Sequence, residues 1–394
     1  MEQSDFWRPT SSDFIANPYP YYEELRANGE VFKAKSGDYV IIGYDACKKV
    51  LTSDVARAGS MDLKMQEIAK YGQKKNQNFD ALREILSGMV VQMNDILHRT
   101  IRSTLSGSWP SQEKMRELAQ KAVRDSIKDL PASFDAVEVL CKRIPLLIIS
   151  SLLGLSERES IRLANDGLKV VQALDPYLSY SELLESQEAA KKLQDFIHSE
   201  CDADQASRSS ITKAIYDLNL EPSDIHPSSV IAFLFIAGYE TTSTLLTSCL
   251  LELIKNPSHQ KAIEEFGVRP FVKEILRVSS PVQITGRLTA EAMNLNGMEI
   301  PSRSTLTICL GAANTDPGYF PNPLEIDFTR NKFNHLAFGY GLHHCLGNQL
   351  AEMEAIAFVE AILPFLPKLK LEEDPELGEK FAIRSYKSVK MSIA

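Results

Sequence analysis

The sequence predicts a mainly α-helical fold with small β-sheets, and three patterns in the 394-residue chain support it. In the middle third, apolar residues recur at helical spacing, as in the stripe that includes Leu140, Ile144 and Ile148. Residues 228–254 form a long apolar segment that ends at Asn256-Pro257, as a core helix would. Beyond residue 316, the density of Gly and Pro instead favours loops and short extended segments.

Local signals place the individual elements in chain order. Residues 17–27 predict a helix that ends before Gly29, and residues 30–34 and 39–43 predict two strands around Ser36-Gly37. Pro145 either kinks a helix or begins one, and Ser156 with Glu159 forms a capping box. Three further segments are predicted: a helix at 271–278, a loop at 316–323, and a helix from Leu346 to about residue 363.

Composition limits the class of protein. The chain is 44% hydrophobic and 24% charged and has no linker-like stretch, so we expect one domain over residues 1–394. The net charge of -9 argues against nucleic-acid binding. The six cysteines form no C-x-x-C pair, which argues against a disulfide framework or a zinc ribbon. No signal peptide is evident, nor a run of roughly 18 apolar residues. We therefore expect a soluble, cytoplasmic monomer without a membrane anchor.

The strongest motif is Phe338-Gly-Tyr-Gly-Leu-His-His-Cys345-Leu-Gly347, which matches F-G-x-G-x-H-x-C-x-G at all six fixed positions. Its glycines allow the backbone to fold tightly against a flat partner. The thiol of Cys345 precedes the helix predicted from Leu346, and the free amides at a helix N-terminus stabilise a thiolate. A thiolate is the form of sulfur that ligates a metal permanently.

Three other interpretations explain this segment less well. Cys345 alone would be an ordinary buried thiol, but a lone thiol does not explain the full motif. Adjacent residues such as His343, His344 and Cys345 rarely chelate one tetrahedral zinc ion. A dinucleotide-binding loop at Gly339-Tyr340-Gly341 is excluded because His344 stands where the third glycine would be.

The loop resembles the haem-binding signature of the cytochrome P450 family, and the matches that follow run in the family's order along nearly the whole chain. The resemblance implies haem b with Cys345 as its axial thiolate. It also implies haem contacts from Phe338, Gly339 and His343 in the same loop and from Ala237. A thiolate ligand favours cleavage of the O–O bond. It also implies a bacterial-type soluble monooxygenase with a single haem-binding domain.

The long apolar segment contains Ala237-Gly-Tyr-Glu-Thr-Thr242, which is similar to the family's A-G-x-[DE]-T-[TS] pattern. By itself the hexad could be a solvated helix face. In the family's register, Gly238 predicts a local distortion that makes room for dioxygen beside Ala237. Glu240 and Thr241 are then the catalytic residues that relay protons to it.

Other matches concern structure and haem binding. Glu274-Ile-Leu-Arg277 is an E-x-x-R pair, a structural motif in the family, and Arg330 resembles its basic partner. Haem propionates require cations, and the resemblance supplies four candidates: His98, Arg102, Arg287 and His343. In many bacterial members the segment that begins at the position of His98 has the sequence H-T-R-x-R. In this chain the second and third residues, Arg99 and Thr100, stand in the reverse order.

Family analogy also predicts a substrate pocket lined by apolar residues, which suits a hydrophobic small molecule. Residues 165–206 are expected to form lid helices, and residues 86–91, 282–285 and 383–386 to contribute to the pocket. The pocket residues themselves are Phe233, Leu234, Val282, Ile284 and Ile383, with Ala237 beside them.

Three function classes follow from these motifs. The first is a monooxygenase that inserts one oxygen atom from O2 into a hydrophobic substrate. The second is a haem enzyme of the same fold with non-insertion or peroxide-driven chemistry, against which Glu240-Thr241 argues. The third is a haem sensor or carrier without turnover, for which 394 residues leave no output domain. The same length leaves no fused reductase, so we expect electrons from a ferredoxin and its reductase.

Overall fold

A computed structural model of the chain bears out the predicted class: it is predominantly helical, with small sheets. Its helices are α1 Ser12–Ala16, α2 Tyr19–Arg26, α3 Tyr44–Leu51, α4 Asp80–Ser87, α5 Asp95–Ser108, α6 Gln112–Ile127, α7 Arg143–Leu153, α8 Glu157–Gln172, α9 Tyr180–Ala203, α10 Ser210–Tyr216, α11 Pro227–Lys255, α12 Ser258–Phe266, α13 Val268–Ser279, α14 Leu310–Asn314 and α15 Asn348–Ile362. The structure describes residues 6–59, 65–66, 68–70, 72, 74–75, 77–173, 175, 178–203, 208–218, 220, 225–330 and 334–393.

The strands are short. They are β1 Val31–Lys33, β2 Tyr39–Ile41, β3 Ala56–Arg57, β4 Ser133–Asp135, β5 Ile284–Thr289, β6 Met293–Leu295, β7 Met298–Ile300, β8 Thr305–Cys309, β9 Leu369–Leu371, β10 Glu376–Leu377, β11 Tyr386–Ser388 and β12 Lys390–Ile393. One 3-10 turn, Gly341–His343, lies within the cysteine loop.

The chain divides into two compact units, which are described separately. The sheet-bearing unit comprises Met1–Arg57, Met115–Lys142 and Thr241–Ala394, and the helical unit comprises Ala58–Lys114 and Arg143–Glu240. The expectation of a single domain stays a prediction.

The sheet-bearing unit is organised around a five-stranded sheet in the order β1-β2-β8-β5-β3. The β2–β8 pair is parallel and the other three pairs are antiparallel. Apolar side chains of β2, β8 and α3, including Ile41, Ile308 and Val50, form a buried cluster. The sheet therefore rests on a core that also fixes α3.

A buried ion pair holds α13 to the loop that follows α14. Nε and one terminal nitrogen of Arg277 each lie 2.8 Å from a Glu274 carboxylate oxygen, and both side chains are fully buried. Nε of Arg330 reaches the same carboxylate at 3.1 Å, and the backbone N–H of Asp327 donates to it at 3.0 Å. The structure thus brings together the three residues that the sequence matched as an ion-pair motif.

Arg277 also donates to three backbone carbonyls, those of Asn314, Pro323 and Glu325. The first of these carbonyls stands at the end of α14, and the other two belong to a segment with little regular structure, as the sequence predicted for residues 316–323. A buried charge is tolerated only when its polar atoms have hydrogen-bond partners. Here the Arg277 guanidinium has such partners, and the three carbonyl oxygens gain a donor from it.

The helical unit packs α8 and α9 together and places α4 against α9. Ser156 caps α8, and its hydroxyl accepts from the backbone N–H of Glu159, as predicted. The reciprocal bond of a capping box is not made by Glu159, because the Ser156 N–H donates to the Glu200 carboxylate at 2.7 Å instead. Val137–Cys141 forms a π-helical turn, and α7 follows it from Arg143 with Pro145 in its first turn, so the helical pattern is interrupted just before the proline.

The start of the last long helix differs from the sequence prediction. Helix α15 starts at Asn348 instead of Leu346, because a loose turn through Gly347 separates it from the cysteine.

Helix α11 has 29 residues and is long and apolar enough to cross a membrane by length and composition. In that helix 78% of the most apolar window is buried in the protein, as is typical of a core helix.

The buried pair leads to a stability prediction. Arg277→Met keeps an unbranched apolar stem but leaves the Glu274 carboxylate and three carbonyls short of donors inside the core. We expect it to lower the free energy of unfolding by about 3–5 kcal/mol, measured by urea denaturation. Arg269→Met is the matched control, because the Arg269–Glu352 pair is 3.4 Å long and its arginine is 59% exposed. The control should lose at most about 1 kcal/mol, and equal losses in the two variants would contradict the structural role of Arg277.

Candidate functional site

The cysteine loop is a tight turn whose backbone bonds to itself. The Cys345 N–H donates to the Phe338 carbonyl at 2.9 Å, and the His344 N–H donates to the Gly341 carbonyl at 3.1 Å. Gly339 and Gly341 have φ angles of 68° and 72°, a region in which only glycine is relaxed. The turn therefore requires the two glycines of the motif.

Position 341 requires glycine for a second reason, because there is no space for a side chain. A Cβ at this position would stand 2.8 Å from the carbonyl oxygen of Leu51, at the end of α3. The loop thus packs its backbone directly against α3.

The thiol at the end of this loop differs from every other thiol in the chain. All six cysteines are described, and Cys345 alone is exposed. Burial raises the pKa of Cys309 to about 11 and that of Cys141 to about 12, which keeps both protonated. Of the six, Cys345 is thus the one sulfur that a ligand can reach.

The ion-pair network connects to this loop through Asn314, which sequence reasoning missed. Its carbonyl accepts from Arg277 at 3.0 Å, and its side-chain oxygen accepts from the Leu336 N–H at 2.5 Å. The Leu336 carbonyl in turn accepts from the Gly339 N–H at 2.8 Å. Asn314 stands in α14 without a recognisable motif, so only the fold identifies it.

Arg287 lies on β5, opposite Leu306 of β8. Its side chain is 3% exposed, and among the described residues its hydrogen bond is to the carbonyl of Gly286, at 2.8 Å. Burial lowers the pKa of this arginine to about 10, which still leaves it charged at neutral pH. The structure therefore holds a buried cation that no described carboxylate neutralises.

The other predicted haem contacts are distributed as follows. His343 is half-buried in the 3-10 turn of the cysteine loop, and Phe338 is half-buried at its start. His98 is buried and Arg102 is half-buried, one turn apart on α5 in the helical unit. The exchanged residues Arg99 and Thr100 lie on the same helix and are exposed.

Helix α11 carries the predicted oxygen-side residues. Glu240 is 6% exposed, and Thr241 and Ala237 are half-buried. The helix is continuous at Gly238, and the expected distortion is not seen there. A Cβ at Gly238 would lie 2.7 Å from Ile149 of α7, so close helix packing accounts for this glycine.

The predicted pocket residues fall into two groups. In the sheet-bearing unit, Val282 pairs with Ile383 in an isolated β-bridge, and Ile284 follows on β5. In the helical unit, Phe233 and Leu234 are neighbours on α11. The expected lid includes the second half of α8 and all of α9, and residues 174, 176–177 and 204–206 of it lie outside the described residues.

Comparison with known proteins agrees with these motifs. The family model described as "Cytochrome P450" matches residues 168–265 and 268–381, which is more than half of the chain. The chain is 26% identical over 378 residues to the "Biotin biosynthesis cytochrome P450" of Bacillus subtilis, covering 92% of both proteins. It is 27% identical over 378 residues to "Cytochrome P450 monooxygenase PikC" of Streptomyces venezuelae, covering 92% of this chain and 87% of the relative.

The fold agrees with solved structures as well. P450BioI in complex with an acyl carrier protein ligated to hexadec-9Z-enoic acid matches with a TM-score of 0.87 and 23% identity, over 97% of this chain and all of that one. The epothilone D-bound cytochrome P450epoK matches with a TM-score of 0.84 and 20% identity, over 98% of both chains. The chain therefore belongs to the cytochrome P450 family of haem-dependent monooxygenases.

Proposed function

We propose that this enzyme holds haem b through the thiolate of Cys345 and inserts one oxygen atom from O2 into a hydrophobic small organic substrate. The observation that carries the proposal is the exposed Cys345 at the end of a turn that two positive-φ glycines make possible. A flat macrocycle needs a close approach of backbone on its thiolate side, and a glycine turn permits it.

Arg287 favours haem over other metal-containing groups that a cysteine thiolate could ligate. A buried guanidinium without a carboxylate partner is costly, and a propionate would neutralise it with charge-assisted hydrogen bonds. His343 in the cysteine loop is a second candidate for this role. The family pattern adds His98 and Arg102, while Phe338, Gly339 and Ala237 would contact the macrocycle itself.

When bound, haem supplies the redox-active iron that activates dioxygen. The protein's part is to deliver protons and to exclude bulk water. Thr241 has a hydroxyl that can donate a hydrogen bond to dioxygen, and Glu240 is a buried carboxyl one residue away on α11. Protons supplied by these two groups would favour O–O cleavage, whereas protons from bulk water would also release peroxide.

The proposed substrate class follows from the side chains of the predicted pocket. Phe233, Leu234, Val282, Ile284 and Ile383 are all apolar. Such a lining binds by burial of apolar surface and selects poorly for polar molecules. We therefore propose a hydrophobic organic substrate that is oxidised by hydroxylation or a related reaction.

Electrons are proposed to come from a ferredoxin and its reductase. On the sheet-bearing unit, α3 carries Lys48 and the exposed Lys49 beside the cysteine loop. Nζ of Lys48 lies 4.8 Å from the ring centroid of Tyr340, and Leu342 is 71% exposed. Cations around an exposed apolar side chain suit an acidic partner, which charge would steer toward the loop.

The first prediction of this proposal concerns the iron ligand. Cys345→Ala should lose the thiolate-type absorption band of the reduced carbon monoxide complex, together with all oxygenation, because no soft donor replaces the sulfur. Cys249→Ala is the matched control, since that thiol is buried in α11, and it should keep both. A thiolate-type band in Cys345→Ala would disprove the ligand assignment.

A second prediction concerns haem retention. Arg287→Leu should weaken haem binding by on the order of 1–3 kcal/mol, because a propionate loses a charged donor. The measurement is the rate of haem transfer to excess apomyoglobin. Arg116→Leu, an exposed arginine on α6, should leave that rate unchanged. Equal rates in the two variants would remove Arg287 from the site.

A third prediction concerns the use of electrons. Thr241→Ala should consume reductant at a rate similar to the wild type but form less product and more peroxide, because the hydroxyl that directs protons is lost. Thr247→Ala is the control on the same helix, since its hydroxyl is bonded to the Ser243 carbonyl at 2.9 Å. Product, peroxide and reductant are measured together, and unchanged coupling in Thr241→Ala would contradict this proton route.

A further inference from the structure

The helical unit contains a cluster of potential metal ligands that the monooxygenase reaction does not use. Glu84 of α4, His198 of α9 and His226, just before α11, each offer one ligand atom within 4.8 Å of the other two. We propose that these three side chains form a binding site for a divalent transition-metal ion, with Zn2+ as the favoured occupant.

The two imidazoles already converge on one point. The Ser228 hydroxyl lies 2.7 Å from Nε2 of His198 and 2.6 Å from Nδ1 of His226. The ring centroids of the two histidines are 5.0 Å apart. Nδ1 of His226 also accepts the backbone N–H of Ser228 at 3.3 Å, so this nitrogen presents a lone pair.

In the metal-free arrangement one hydroxyl serves both rings. Ser228 can donate its single proton to Nδ1 of His226 while it accepts from Nε2 of His198. A metal ion would replace this relay by direct bonds to the two nitrogens. The serine oxygen or a water molecule is then available for the fourth position, as at zinc sites with three protein ligands.

Glu84 contributes the negative charge. It is half-buried, and no hydrogen bond or ion pair joins its carboxylate to another residue in the described part of the chain. A half-buried carboxylate facing two imidazoles has no structural counter-charge, and a divalent cation would supply one. Nitrogen ligands favour zinc and its neighbours over magnesium or calcium, which prefer oxygen.

The scaffold around the cluster is closely packed. The Leu82 N–H donates to the buried side chain of Gln187 at 2.9 Å, which ties α4 to α9. Gly88, just past α4, approaches Ser229 so closely that a Cβ would meet its carbonyl oxygen at 2.3 Å. These contacts hold the backbones of α4, α9 and the start of α11 near one another before any ion binds.

The geometry needs only small adjustments. Ligand atoms of a tetrahedral zinc ion stand roughly 3.3 Å apart, given bonds of about 2.0–2.1 Å. The three donor atoms lie within 4.8 Å of one another, so small movements of the side chains toward a common centre would bring them to this spacing. A bound ion would then cross-link three helical elements of the unit.

The test is a zinc titration of the haem-loaded protein after removal of metals with a chelator. Equilibrium dialysis with zinc quantified by mass spectrometry should give one ion per chain at micromolar concentration. His226→Gln should weaken binding at least tenfold, as should Glu84→Gln, because each removes one ligand. Since His226 is exposed, its variant should fold, which an unchanged haem spectrum verifies.

Two controls separate a metal site from a simple helix cap. His259→Gln removes a histidine that lies 3.1 Å from Glu252 and should leave zinc affinity unchanged. Ser228→Ala removes the bridging hydroxyl but keeps all three ligands, so it should retain zinc within a few-fold. If these side chains only cap α11, neither the wild type nor any variant should bind zinc stoichiometrically.

Hydrogen exchange provides a second readout. Zinc should slow amide exchange in α4, α9 and the first turn of α11 in the wild type, and should have no such effect in His226→Gln. Absence of stoichiometric binding in the wild type, or equal affinity in His226→Gln, would overturn the proposal.

Discussion

The buried Glu274–Arg277 pair is the interaction on which the sheet-bearing unit depends. It lies where α13, α14 and an irregular loop meet, and it supplies donors to backbone carbonyls that no helix or strand satisfies. Inside a protein such a charge pair is stabilising only when every polar atom has a partner. Arg330 and the Asp327 N–H complete that requirement on the carboxylate.

The same network explains how the cysteine loop is held in place. From Arg277, hydrogen bonds pass through Asn314 and Leu336 to Gly339. At the other side, Gly341 lies against the last carbonyl of α3. The loop is thus fixed by the surrounding backbone, while the thiol of Cys345 remains exposed. Rigidity of the turn and accessibility of the sulfur are both needed in the permanent iron ligand that Cys345 is proposed to be.

Charge is distributed unevenly among the functional groups. Arg287 is a buried cation that no carboxylate of the described residues neutralises, whereas Glu240 is a buried acid on the helix that carries Thr241. Two buried carboxyl groups have different roles. Glu274 is neutralised by Arg277 and Arg330 and is structural, whereas Glu240 is proposed to move protons. Glu84, beside His198 and His226, is a third acid with a separate role, in metal binding.

The sequence alone determined the class of fold, the long core helix, the cysteine loop and the ion-pair motif, because each is a local pattern of residue spacing. The tertiary structure decided the rest. Asn314 and the Glu84–His198–His226 cluster join residues far apart in the chain, and spacing carries no signal for such contacts. The late start of α15 and the packing of Gly238 on Ile149 depend equally on what lies opposite each residue. Local propensity reports how a segment can fold, but only the packed chain determines which distant groups meet.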